Sequence, residues 1–100
     1  MTPGTIIQAK TLYFLVLYPI KNNIKIPCVA LSTEPYDSGV IDIVLSNKGQ
    51  YYLLPAVAMI KKTTLEEMKT IANADQDQLK AIAHSPSVVS QIQYIMKQNQ

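Results

Sequence analysis

The side chains of this 100-residue chain that could do ionic or acid–base chemistry are few and scattered. His84 is the only histidine, and its ordinary pKa would let it pass a proton near neutral pH. It stands beside Ser85 between two expected helices, where a surface or capping role is the plainer reading. All nine basic residues are lysines, so the chain offers compact point charges and no planar bidentate phosphate binder. Among them Lys21, Lys25 and Lys48 lie in expected loops or at strand ends, where each could sit beside a phosphate or simply be a solvated charge. Tyr36, in a turn beside Asp37, is the best-placed aromatic for stacking on a base. Ser46 closes a strand and could donate or accept a hydrogen bond there. Cys28 is alone, which excludes an intrachain disulfide and a cysteine-rich metal site; its apolar surroundings suggest a small buried residue.

Charge distribution narrows the partners. Residues 1–62 carry six lysines against three acids (+3), and residues 63–100 carry three against four (−1), so a polyanion should prefer the N-terminal part. The net charge of +2 is too small to impose nucleic-acid binding by itself. There is no glycine-rich phosphate loop, metal-ligand cluster or nucleophile–histidine spacing, so a metalloenzyme or nucleotide hydrolase is disfavoured and no cofactor is expected.

The elements that must position these residues read as strands first and helices after. One hundred residues fit one domain, able to bury roughly 65% of its unfolded surface. Strands are predicted over Thr5–Ala9, Leu12–Tyr18, Lys25–Ser32, Val40–Ser46, Tyr51–Leu54 and Ala56–Lys61. Leu12–Tyr18 is apolar on both faces, as a strand buried on two sides would be. In Val40–Ser46, alternation puts Ile41, Ile43 and Leu45 on one side and Asp42 on the other, the pattern of a half-buried strand. Lys21-Asn22-Asn23 and Glu34–Gly39 read as turns, and Asn47-Lys48-Gly49 as a tight hairpin. Six short strands without a βαβ rhythm predict a mainly β small barrel over residues 1–62.

Residues 63–100 read as mostly helical, which makes the chain α+β overall. Thr64 with Glu67 forms one possible capping box, although Met68–Ala72 could instead be a last barrel strand. Asp75 with Gln78 forms a better box, and Ser85-Pro86 opens a final helix striped by Val88, Val89, Ile92, Ile95 and Met96. That stripe could pack on the barrel or form part of a dimer interface. The longest apolar run, near Leu12–Leu17, is far shorter than the ~20 residues of a membrane span. No signal peptide is read, and a cytoplasmic location is expected.

Several short motifs resemble the MazF/PemK family of toxin ribonucleases from toxin–antitoxin modules. These are Gly4-Thr5-Ile6-Ile7, Tyr18-Pro19-Ile20, Ile26-Pro27-Cys28-Val29-Ala30-Leu31-Ser32, Leu45-Ser46, Leu53-Leu54-Pro55-Ala56-Val57 and the tail from Ile82 through Lys97. The resemblance covers most of the chain, with residues 61–78 fitting worst and suggesting an insertion. It implies an SH3-like barrel with C-terminal helices, a homodimer, and a groove for single-stranded RNA or an antitoxin peptide. If active, such a protein would be a metal-independent endoribonuclease. The residues depart from the family where its chemistry lies. The family's arginine before proline corresponds to Ile26, and the threonine of its Thr-Ser pair to Leu45. Neither side chain can move a proton, and losing one charge stabiliser commonly costs ~100–1,000-fold in rate.

Lys25 and His84 are then the remaining catalytic candidates, and Lys21, Lys25, Tyr36, Ser46 and Lys48 the candidate nucleic-acid contacts. Lys25, however, faces opposite to residue 26 in an extended strand. The alternatives are a noncatalytic adapter barrel, such as a mobile element could encode, or a single-stranded nucleic-acid-binding accessory protein.

Overall fold

The computed structural model describes residues 3–17, 25–34 and 43–98. The predicted turns Lys21-Asn22-Asn23 and Glu34–Gly39 fall largely outside them, as do Lys21 and Tyr36. Six strands and three helices follow in order: β1 (Thr5–Ala9), β2 (Leu12–Val16), β3 (Lys25–Ser32), β4 (Ile43–Ser46), β5 (Gly49–Lys61), α1 (Lys62–Glu67), β6 (Lys69–Asn73), α2 (Gln76–Ala83) and α3 (Pro86–Gln98). The strands form one antiparallel sheet in the order β4-β5-β3-β2-β1-β6. The sheet curls into a half-barrel, and the chain has a mainly β, small α+β barrel-like fold with C-terminal helices.

The central strands are apolar on both faces because both faces are covered. Ile6, Leu15, Leu17, Val29, Leu31 and Val44 point to one side, where Leu79 and Ile82 of α2 and Val88 and Ile92 of α3 complete the main core. Ile7, Val16, Ile26 and Cys28 point to the other, where Leu65 of α1 joins them. This period-two division between two cores is what the uninterrupted apolar runs encode.

Two local features mark the margins of the sheet. In β5 the register moves from Val29↔Val57 to Leu31↔Leu53, so three residues around Pro55 bulge opposite Ala30. A proline has no N–H to give to a ladder and is tolerated at such a bulge, which also bends the strand. The Val57 N–H there donates to Gln91 Oε1 of α3 at 3.2 Å. At the other margin, Gly4 donates its N–H to Val16 O and accepts from Ala74 N, both at 2.8 Å. Its φ of +91° is one that L side chains rarely adopt.

Three expectations need correction, and one open alternative is decided. The segments Tyr51–Leu54 and Ala56–Lys61 are one continuous strand, β5, because the bulge absorbs Pro55. The sixth strand is β6, the strand reading of Met68–Ala72, paired with β1 inside the mostly helical part. Thr64 and Glu67 form no capping box: α1 begins at Lys62, has Lys61 at its N-cap and no side-chain cap bond. Finally, β4 is turned over. Val44 is fully buried, whereas Ile43 and Leu45 are 45% and 46% exposed.

Other expectations hold. The hairpin forms at Asn47-Lys48, with Ser46 opposite Gly49. Asp75 caps α2, its side chain accepting from Gln78 N. The Ser85 carbonyl accepts from Val89 N at the start of α3. Among the described residues, no helix is long and apolar enough to cross a membrane.

Candidate functional site

Among the described residues, the sheet closes on itself where β4 meets the chain between β6 and α2. Ser46 bridges Ala74, Asn47 N donates to Asn73 O at 3.1 Å, and Asp75 N donates to Leu45 O at 2.9 Å. Asn47 adds a side-chain bond, its Oδ1 accepting from Asn73 N at 2.9 Å. Beyond Asp75 the chain turns into α2 and can no longer pair as a strand. Gln78 takes over from the first turn of that helix. Its Oε1 accepts from Leu45 N, and its Nε2 donates to Ile43 O at 3.0 Å. In a full capping box this amide would reach back to the Asp75 N–H. Here that N–H is bound to Leu45 O, so Gln78 is free to face β4.

Two clefts flank this seam. One, of about 440 Å³, is lined by Ile43, Leu53, Gln78, Ala81, Ile82, Ser85 and Pro86. The other, of about 500 Å³, is lined by Leu45, Ser46, Asn47, Asn73, Ala74, Asp75 and Gln76. Their linings combine apolar side chains, amides, the hydroxyls of Ser46 and Ser85 and a single carboxylate, with no lysine among them. Such a surface can receive apolar side chains and exchange hydrogen bonds with a peptide backbone.

The residues singled out in the sequence lie apart. Lys25 opens β3 opposite Lys61, next to Lys62, so three cations gather at that end of the sheet. Ser46 sits opposite Gly49. Lys61 and Gly49 are the two ends of β5, twelve residues apart, so Lys25 and Ser46 do not share one site. The Ser46 hydroxyl donates to Gly49 O at 2.8 Å and accepts from Lys48 N at 3.1 Å, a role internal to the hairpin. Lys48 is exposed at that hairpin's tip. His84 is exposed at the C-terminus of α2, its N–H donating to Lys80 O at 3.1 Å, as a capping residue would.

The two positions where the family resemblance implies catalytic side chains are also separated. Ile26 is only 5% exposed and packs with Leu65 in the second core, whereas Leu45 is on the outside of the edge strand. Their partners on β5, Ile60 and Gln50, lie ten residues apart.

Cys28 is no nucleophile. It is fully buried, its Sγ faces Ile26 O at 3.6 Å, and burial pushes its pKa from 9.0 up to about 12, away from the thiolate. Tyr51 is likewise shifted up, by burial and then by Tyr13, whose ring centroid is 6.0 Å away. Both rings pack in or against the main core, as strand aromatics commonly do. Among the described residues, no three His, Cys, Asp or Glu side chains gather as metal ligands.

Sequence reasoning missed Gln78 as a contact to β4. Its spacing from Asp75 marked a helix start, and nothing local marks a bond across 33 residues. Comparison of the chain with protein-family models, curated proteins and solved structures found no match.

Proposed function

We propose that this protein is a noncatalytic binding barrel of the MazF/PemK-like kind, whose seam between β4 and α2 holds an extended segment of a partner protein, as an antitoxin peptide would be held. The observation that carries this reading is the lining of the seam: apolar groups, amides, two hydroxyls and one carboxylate, with no lysine. A single-stranded nucleic acid needs cations along its backbone, and the cluster at Lys25, Lys61 and Lys62 lies at the far end of β5 from the hairpin. The buried, apolar setting of Ile26 supports the absence of phosphodiester chemistry.

The test has two arms. Purified protein is incubated with mixed-sequence single-stranded RNA at low salt, and a random octapeptide display library is selected on the same protein. The expected result is intact, unbound RNA and selected peptides with apolar residues at alternate positions. Ala81→Lys, an exposed substitution on the α2 side of the seam, should remove peptide binding without lowering the melting temperature. RNA cleavage, or salt-steep RNA binding unaffected by Ala81→Lys, would overturn the reading.

A further inference from the structure

We infer that α1 is a releasable strap, which lifts from the sheet without unfolding of the barrel and bares the apolar cluster beneath it. The inference concerns the second core and stands whether or not the seam holds a peptide. In the sheet order, β5 and β6 flank β3, β2 and β1 from opposite sides, and α1 with Met68 is the whole connection between them. The chain must therefore cross three strands in seven residues, 62–68. It does so over the second core, where Leu65 packs among Ile7 of β1, Val16 of β2 and Ile26 and Cys28 of β3. Among the described residues, Leu65 and Met68 are the only members of that cluster that lie off the sheet. One leucine fastens the strap: Leu65 is fully buried, and every other residue of α1 is exposed.

The length, capping and charges of α1 all disfavour a helix. Six residues are too few for a helix to hold itself. Thr63 and Thr64 are β-branched, and no side chain caps the N-terminus. The charges are inverted against the helix dipole, with Lys62 in the first turn and Glu66 and Glu67 in the last. Lys61 at the N-cap and Lys25 opposite it add two more cations at the end where the dipole is already positive. Burial of Leu65 outweighs these terms, so the closed form dominates and the open form is a minor population. The connection is long enough to open. Melted, residues 62–68 reach about 23 Å, against roughly 19 Å for the four strand spacings between β5 and β6 in a flat sheet, and curling shortens that gap. Both strands can therefore keep their ladders while the strap is off.

Cys28, in the cluster that opening bares, is the reporter. Once reached, its thiolate attacks dithiobis(nitrobenzoate), forming a mixed disulfide and releasing one nitrothiobenzoate anion, which is followed by absorbance. The native parent should be labelled by excess reagent at pH 8. The labelling rate should rise with urea less than about a quarter as steeply as global unfolding does, because the strap and its recess expose little surface. Lys62→Glu and Glu67→Lys should each slow labelling about three- to tenfold, since each turns a charge that opposes the helix into one that favours it. Neither residue belongs to the cluster, so altered packing around the thiol does not produce that slowing. Leu65→Ala should speed labelling at least about thirtyfold.

Labelling as steep in urea as global unfolding, or no labelling of the native protein, overturns the inference. So does equal or faster labelling of either charge variant, even where Leu65→Ala fails to fold.

Discussion

Cys28 offers a quantitative check on how tightly the second core is sealed. Its thiol is fully buried, and burial raises its pKa from 9.0 to about 12. A raised pKa means that the folded state keeps a proton that the unfolded chain gives up above pH 9. Stability from this group is therefore complete below pH 9 and is lost as the pH rises towards 12. Linkage gives a loss on the order of 3 kcal/mol between neutral pH and pH 11. Cys28→Ala removes the titration and costs about 1 kcal/mol at neutral pH, the scale of deleting one buried methyl-sized group. The two effects cross at about pH 10, and at pH 11 the alanine variant should be the more stable by about 1–2 kcal/mol. Urea denaturation of both proteins at pH 7, 9, 10 and 11, under reducing conditions, measures the inversion. Lysine and tyrosine titrations are common to both proteins and cancel in the difference. A stability gap that does not change with pH would show that water reaches the thiol, and the sealed core over Ile26 would fall with it.

Leu65→Ala should destabilise the fold by about 2–4 kcal/mol in urea titration, because Leu65 is the one buried residue of a six-residue helix too short to stand alone. Ile26→Arg should cost about 3–5 kcal/mol, and combining it with Leu65→Ala should cost at least about 1 kcal/mol less than the sum, since both side chains belong to one cluster; strict additivity would refute that packing. Asp75→Ala should lower stability by about 1 kcal/mol and increase amide exchange at Gln78, whose N–H loses its cap.

The parts of this fold legible in the sequence are those in which local pattern and tertiary demand agree. β1, β2 and β3 are apolar on both faces, and both faces are buried, so no choice of face was needed. β4 required that choice, and Ile43-Val44-Leu45 does not encode it, being apolar at every position. A one-residue change of parity exchanges the faces, and the main core, closed over Val44, decides. Met68, Ile71 and Ala72 satisfy helical spacing, but the open edge of β1 takes Lys69–Asn73 as a strand and leaves Met68 as the C-cap of α1. The seam was hidden for another reason. Its bonds link Gln78 to Ile43 and Leu45 across 35 and 33 residues, and a glutamine in a first helical turn carries no sign of a distant backbone.

Two points at which the chain departs from the MazF/PemK pattern it resembles, Ile26 and residues 61–78, have a common physical origin. Residues 61–78 match that pattern worst, and they contain α1, whose Leu65 packs in the cluster that holds Ile26. An arginine at position 26 would put its guanidinium under this helix, where an unpaired charge costs several kcal/mol. An isoleucine there without the helix would leave an apolar side chain facing water. Helix and isoleucine therefore suit each other, and together they make a packed core where the resemblance implies a reactive groove. The sheet's other open margin, along β4 and α2, keeps its clefts and its exposed Ile43 and Leu45. That margin has the concave shape and the backbone hydrogen-bonding groups that holding an extended segment requires.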